Sequence, residues 1–313
     1  MKNFDALLRL VAHQPRRRLS VAVAQDYTVI EAIRDAEAQG LVQAVLFGDR
    51  ESILEEAERA QYAVREADIV HEPDPLKAAL GAVSLASRGE ADIVMKGYLH
   101  TDDFLRAILH KEQGLRTGAI MSHVFIIESR NLDRLIFVAD GAMNMAPDLE
   151  QKAAILLNTV HMASAFGIMR PKVAVLAAVE LINPAMPATL DAAALAQMSK
   201  RRQFSVDCEV DGPFALDNAV SEIAAKHKKI SGPVAGWADV LLVPNIEAGN
   251  ILAKALAYMG NCRLAGLLVG AKVPVVLTSR ADTAESKLLS IASAVFAINL
   301  QRTLWLKVGK VHY

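Results

Sequence analysis

Residues 273–282 of the chain are VPVVLTSRAD. An aliphatic run from Val273 to Leu277 passes without a spacer into Thr278, Ser279, Arg280 and, after Ala281, Asp282. A strand with one wet face alternates apolar and polar residues, whereas a strand covered on both faces is apolar throughout. The run therefore predicts a strand buried on both sides, in a largely parallel sheet with helices on each face. Seven further runs have the same character: residues 19–24 (LSVAVA), 44–49 (AVLFGD), 91–97 (ADIVMKG), 124–129 (VFIIES), 134–140 (RLIFVAD), 172–180 (KVAVLAAVE) and 238–244 (ADVLLVP). Helical patterns lie between them, such as residues 28–40, closed by Gly40, and residues 147–167, closed by Gly167. The expected class is α/β.

A chain of 313 residues is long enough for two domains or one large α/β unit. With 53% hydrophobic and 22% charged residues it has the composition of a soluble globular protein. A formal net charge of -1 provides no long-range field for nucleic acid or an anionic membrane, so a bound anion has to be held by a local site. Cys208 and Cys262 lie far apart, with no histidine at metal-ligand spacing, which indicates neither a disulfide framework nor a zinc site and makes the cytoplasm the expected compartment. Acidic and basic residues flank the short apolar pattern of the N-terminus, unlike a signal peptide, and no apolar run is long enough to span a bilayer. No Gly-, Ser- or Pro-rich linker marks a domain boundary.

In open parallel sheets ligands gather beyond the carboxyl ends of the strands. Four such places carry polar groups, and a fifth, at Gly249 and Asn250, carries an unexpected glycine. Lys96, Gly97 and His100 follow one strand, and Thr101 is positioned to N-cap a helix whose first turn holds Asp102 and Asp103. Those aspartates repel an anion from that helix N-terminus. Arg116, Ser122 and His123 precede the run at 124–129, where the histidine suits either a ligand or a hydrogen-bonded rim position. Asp140 and Asn144 follow another strand, as ligand contacts or as an Asx-stabilised turn, and Asp148 with Gln151 opens the next helix. Gly249 and Asn250 enter a helix start where glycine costs roughly 1 kcal/mol against alanine, which points to a close backbone approach to a ligand or to another helix. Finally, Ser279 offers a hydroxyl and Arg280 a planar fork suited to carboxylate or phosphate, unless Asp282 simply pairs with it. The chain has no P-loop, no G-x-G-x-x-G after the first strand, no G-x-S-x-G and no H-E-x-x-H.

Several colinear segments resemble the phosphate acyltransferases, the family of phosphate acetyltransferase and phosphate butyryltransferase. They include ADIVMKGYLHT, MSHVFIIE, ADGAMNMAPDLEQKA, DGPFALDNA, VAGWADVLLVPNIEAGNILAKAL and VPVVLTSRAD. KGYLHT, MSHV and DGAMNMAPDLEQK look more like the butyryltransferase branch. The resemblance implies interconversion of acyl-CoA and phosphate with acyl phosphate and CoA, with these small molecules as substrates and neither metal nor prosthetic group. It also implies two three-layer α/β domains of the isocitrate/isopropylmalate dehydrogenase type, an interdomain cleft, and a homodimer or higher homo-oligomer. The domains are expected to be residues 1–135 with 277–313, and residues 136–276, crossing near Ile136 and Val276.

On the same resemblance, Arg280 holds phosphate or the developing oxyanion, and Ser279 hydrogen-bonds the thiol or thioester. Arg106 aligns with an arginine that contacts CoA. The acetyltransferase branch carries an aspartate, proposed as a base, where this chain has Ser286; Asp282 is the nearest carboxylate, either as base or as a group orienting Arg280. Two alternatives share the fold: an acyl-CoA-sensing regulatory homologue, and a decarboxylating dehydrogenase with Asp211 and Asp217 as metal ligands.

Overall fold

The computed structural model describes residues 1–300 and 310–312, the side chains of Asn299 and Leu300 excepted. The chain forms two compact units, one built from Phe4–Ala119 and the described residues from Ala265 onward to Leu300, the other from Met1–Asn3, Ile120–Leu264 and the described residues 310–312. In chain order the first unit begins with α1 (Phe4–Val11), β1 (Arg17–Ala22), α2 (Tyr27–Ala38), β2 (Val42–Gly48), α3 (Arg50–Arg59), β3 (Ile69–His71), α4 (Pro75–Ser87), β4 (Ile93–Lys96) and α5 (Thr101–Ile108). The second unit follows with β5 (Ser122–Glu128), β6 (Leu135–Ala139), α6 (Leu149–Ala165), β7 (Lys172–Leu176), α7 (Pro187–Lys200), β8 (Glu209–Phe214), α8 (Leu216–Val220), α9 (Glu222–His227), β9 (Val240–Leu242) and α10 (Ile246–Tyr258). The chain returns through β10 (Arg263–Val269) to β11 (Val275–Val276) and α11 (Ala284–Leu300).

In the first unit the strands run β3-β2-β1-β4-β11-β10, parallel except where β10 meets β11. Helix α4 packs on β1 and β2 beside α5, while α11 packs on β4 and β11 beside α1 and α2. Four residues in succession are buried at the ends of β1 and β4, as the unalternating apolar runs predict. In the second unit the order is β5-β6-β9-β7-β8, parallel except for the β5–β6 pair. Its core joins Ile127, Ile136, Val138, Ala174, Phe214 and Leu241.

The eight apolar runs correspond to β1, β2, β4, β5, β6, β7, β9 and β11. Strands β3, β8 and β10 escape that reading because they are short or interrupted by polar residues and glycine; Gly266 within β10 donates its N–H to Ser290 Oγ at 2.9 Å. The compact units change over at Ala119/Ile120 and Leu264/Ala265, earlier in the chain than the crossings expected near Ile136 and Val276. The antiparallel pairs account for the difference. Register binds β5 to β6 from Val124–Ala139 to Glu128–Leu135, so both strands belong to one unit, and β10 likewise goes with β11.

Helix starts follow local chemistry. Asp26 accepts the Val29 N–H at the head of α2, and Asp74 caps α4 with Pro75 in its first turn. Asp148 and Gln151 form a reciprocal capping box on α6. Thr101 departs from expectation: it is the first helical residue of α5, and the N-cap position falls to His100, which makes no side-chain cap bond. Asp148→Ala is expected to cost about 1 kcal/mol, seen as a lower urea midpoint with an unchanged m-value.

Candidate functional site

The residues at the ends of β4 and β11 lie in the first unit. After Lys96 the chain makes a tight step in which Gly97 and Tyr98 donate to the carbonyls of Ala22 and Val23 at 2.8 and 2.7 Å. A side chain at Gly97 would bring its Cβ within 2.1 Å of the Val23 carbonyl oxygen, so this close backbone approach requires glycine. Lys96 is only 2% exposed, and its ammonium donates to the carbonyls of Gly97 and Leu99 at 3.2 and 3.1 Å. Burial is the main reason its pKa falls to about 8; the positive charges of Lys287 and Arg280 lower it further, against opposing contributions from Asp282 and Asp26.

Beyond β11 the segment from Ser279 to Asp282 closes on itself. The Asp282 carboxylate accepts the Ser279 N–H at 2.7 Å, the Asp282 N–H returns to the Ser279 carbonyl at 3.2 Å, and Ser279 Oγ accepts the Ala281 N–H at 3.3 Å. Arg280 projects from the outside of this turn. Its guanidinium stands 5.8 Å from the centroid of the Tyr98 ring and 3.3 Å from His100 Nδ1. Those two contacts aim the arginine from the β4 loop. Most of the five guanidinium donors stay available on an exposed side chain, a suitable geometry for a bidentate anion. Asp282 therefore shapes the backbone that presents Arg280. Lys287, one turn into α11, is also 2% exposed and donates to the Asp282 carbonyl.

Ser122, His123, Asp140, Asn144, Gly249 and Asn250 come together in the second unit, at the start of β5, the end of β6 and the start of α10. Asp140, 3% exposed, accepts four hydrogen bonds: from the backbone of His123, Ala142 and Met143, and from Asn144 Nδ2 at 2.6 Å. Asn144 Nδ2 also reaches the Met121 carbonyl, and Ser122 Oγ accepts from Asn158. The His123 ring is buried edge-on against Phe125, with centroids 4.4 Å apart. Gly249 meets Asp140 closely enough that a Cβ would lie 2.5 Å from its carbonyl oxygen, and Asn250 Nδ2 donates to the Gly141 carbonyl. The helix glycine thus serves close backbone packing, and Asp140 forms an Asx-type turn.

The remaining candidates stand apart. Arg106 is exposed and pairs with Asp103 at 3.1 Å on its own helix, and Arg116 lies exposed in the loop after α5. Asp217 is engaged by Lys228 at 3.1 Å, which holds its carboxyl below the usual range, and Asp211 accepts the adjacent Gly212 N–H. Among the described residues no group of three His, Cys, Asp or Glu side chains converges to hold a metal ion. Tyr98 and Lys287 were not among the residues singled out from sequence. Tyr98 sits inside KGYLHT, and Lys287 lies five residues beyond Asp282, so proximity to known candidates was the available signal.

The family model described as "Phosphate acetyl/butaryl transferase" matches residues 67–295. Phosphate butyryltransferase of Clostridium acetobutylicum is 50% identical over 294 residues, which cover 94% of this chain and 97% of that protein. Phosphate acetyltransferase of Thermotoga maritima is 45% identical, covering 90% of this chain and 95% of that one. Among solved structures, a branched-chain phosphotransacylase from Enterococcus faecalis superposes with a TM-score of 0.80 at 33% identity, over 91% of this chain and 100% of that one.

The Asp140 network has a clear consequence for stability. Asp140→Ala removes a buried acceptor from four donors and is expected to cost about 3 kcal/mol, against about 1 kcal/mol for Asn144→Ala, both measured by urea unfolding.

Proposed function

The chain belongs to the phosphate acetyl/butyryl transferase family, and on that premise we propose that this acyltransferase interconverts short-chain acyl-CoA and phosphate with acyl phosphate and CoA at Ser279 and Arg280. The observation that carries the assignment is the exposed guanidinium of Arg280, held between Tyr98 and His100 on a turn closed by Asp282. Direct transfer asks for a nucleophile in line with a carbonyl, donors for the oxyanion and a cation for phosphate.

In the forward direction a phosphate oxygen attacks the thioester carbonyl, charge builds on the carbonyl oxygen, and the thiolate leaves and takes up a proton. Arg280 holds the phosphate and the developing negative charge, while the Ser279 hydroxyl donates to the thioester sulfur as it becomes thiolate. A free thiol has a pKa of about 8.5, so the reverse attack needs little help from a base. Asp282 acts as the group that shapes the turn. His100 is proposed to orient the arginine, with the Asp140 and Asn144 network supporting its own unit. Lys96 and Gly97 set the course of the β4 loop. Substrate contacts from Arg106 and Thr101 rest on the family resemblance, as does the absence of a prosthetic group, and a contact from Arg116 rests on its place in the exposed loop before β5.

Butyryl and branched short acyl groups are the proposed substrates, supported by relatives named phosphate butyryltransferase at 49–50% identity and by the solved structure of a branched-chain phosphotransacylase at 33% identity. One methylene is worth only about 1–3 kcal/mol in an apolar pocket, so neighbouring chain lengths are accepted as well. A homo-oligomer is supported by α10, whose outer face exposes Ile251 and Tyr258, with Met259 beside them. A cytoplasmic setting is supported by the free thiols Cys208 and Cys262. No helix among the described residues is long and apolar enough to cross a membrane.

Release of CoA from butyryl-CoA is expected to depend on phosphate; no phosphate-dependent release with acetyl-, propionyl- or butyryl-CoA would overturn the assignment. Arg280→Ala is expected to lose roughly 10²–10³ in turnover while its thermal melt is unchanged, because the side chain is exposed. Asp282→Asn keeps an acceptor for the Ser279 N–H and is expected to stay within about tenfold of the parent, whereas loss of a general base would remove roughly 10²–10⁴.

A further inference from the structure

Lys96 and Lys287 are both buried, and both ammonium groups are met by backbone carbonyls rather than by carboxylates. Their carbonyl partners belong to two different loops. Lys96 braces Gly97 and Leu99, which flank Tyr98 and lead into His100; Lys287 braces Asp282, which closes the turn around Ser279. The two loops converge on the Arg280 guanidinium, through Tyr98 and His100 on one side and through its own backbone on the other.

A buried ammonium hydrogen-bonded only to neutral carbonyls gains hydrogen-bond partners but no directly paired counter-charge. Here two such charges lie behind a third. The charged groups facing Lys96 are Lys287 from α11, Arg280 and Asp282 from the turn, and Asp26 from the head of α2; Tyr98 and His100 on its own loop contact Arg280. Asp26 is already engaged by the Val29 N–H and the Thr28 hydroxyl, and Asp282 by the Ser279 N–H. Neither carboxylate pairs directly with a lysine.

Building on the acyl-transfer assignment, we propose that Lys96 and Lys287 are positioning residues that hold the two loops around Arg280 and supply a buried positive field completed by the phosphate group of the substrate. Neither lysine touches that group. Phosphate arriving at Arg280 lets Lys96 remain protonated where the free protein would release the proton, so above pH 8 phosphate binding is coupled to proton uptake at Lys96.

The test is calorimetric titration of the full chain with inorganic phosphate at pH 8.5, where phosphate is already dianionic, in two buffers of different ionisation enthalpy. The parent is expected to take up a substantial fraction of a proton per phosphate. Lys96→Met is expected to abolish that uptake and to weaken binding at least tenfold. Lys287→Met is expected to weaken binding similarly at pH 7.5, with Lys287→Arg restoring part of it. In the acyl-CoA direction the parent KM for phosphate is expected to rise between pH 8 and 9.5, while Lys96→Met shows a raised KM with no such rise.

Thermal melts separate this role from a merely structural one. The pKa of Lys96 is lower in the folded chain than in the unfolded one, so the cost of burying its charge is present below pH 8 and fades as pH rises through that value. Lys96→Met is therefore expected to melt no lower than the parent at pH 7 despite its weaker binding. Equal proton uptake in parent and Lys96→Met, or unchanged phosphate affinity in both methionine variants, would overturn the proposal. Phosphate binding with the expected proton uptake but without phosphate-dependent CoA release would instead remove the assigned reaction and leave the lysine field standing.

Discussion

Backbone polar groups must stay paired where a β ladder stops but burial continues. Each unit meets this constraint at the carboxyl ends of its strands. In the first unit the groups met are carbonyls, and buried ammonium groups bind them: Lys96 at the Gly97 and Leu99 carbonyls, Lys287 at the Asp282 carbonyl. In the second unit they are N–H groups, and Asp140 accepts those of His123, Ala142 and Met143.

The two solutions differ in what they leave behind. A carboxylate with four donors is well compensated, because hydrogen bonds to its charged form offset the loss of water. Lys96 donates to two carbonyls and Lys287 to one, yet each remains a net positive charge in a medium that screens poorly. Burial depresses the pKa of both Lys96 and Lys287 as a result. The first unit therefore holds positive charge beneath Arg280, although the chain as a whole carries a net charge of only -1. Local arrangement, rather than composition, sets the field at the turn.

Much of this is legible in the amino-acid sequence. Unalternating runs such as VPVVLTS predicted buried strands, and eight of them occur as strands. The helix signal at Asp148 and Gln151 occurs as a capping box because it depends only on neighbours in sequence. Polar residues after β4, β6 and β11 could be nominated because strand ends are where such groups collect. Less legible were features that depend on pairing across the chain. The antiparallel registers of β5 with β6 and β10 with β11 move both unit boundaries, and no linker composition marks them. Thr101 was one residue displaced from its expected cap, since the chain turns into α5 at His100.

Sequence alone determined the α/β class and the family resemblance and nominated the Ser279–Arg280 pair, because these rest on periodicity and on contiguous motifs. Tertiary structure decided what each polar side chain faces. It turned Lys96 inward onto carbonyls, brought Tyr98 and His100 to Arg280 from residues about 180 positions earlier, and placed Lys287 behind Asp282. It also made Gly249 a packing contact for Asp140, more than 100 residues away in the chain. The physical reason is that burial and hydrogen-bond partnership are properties of the packed chain. A lysine after a strand has the same sequence signature whether its ammonium meets water, a substrate or a backbone carbonyl.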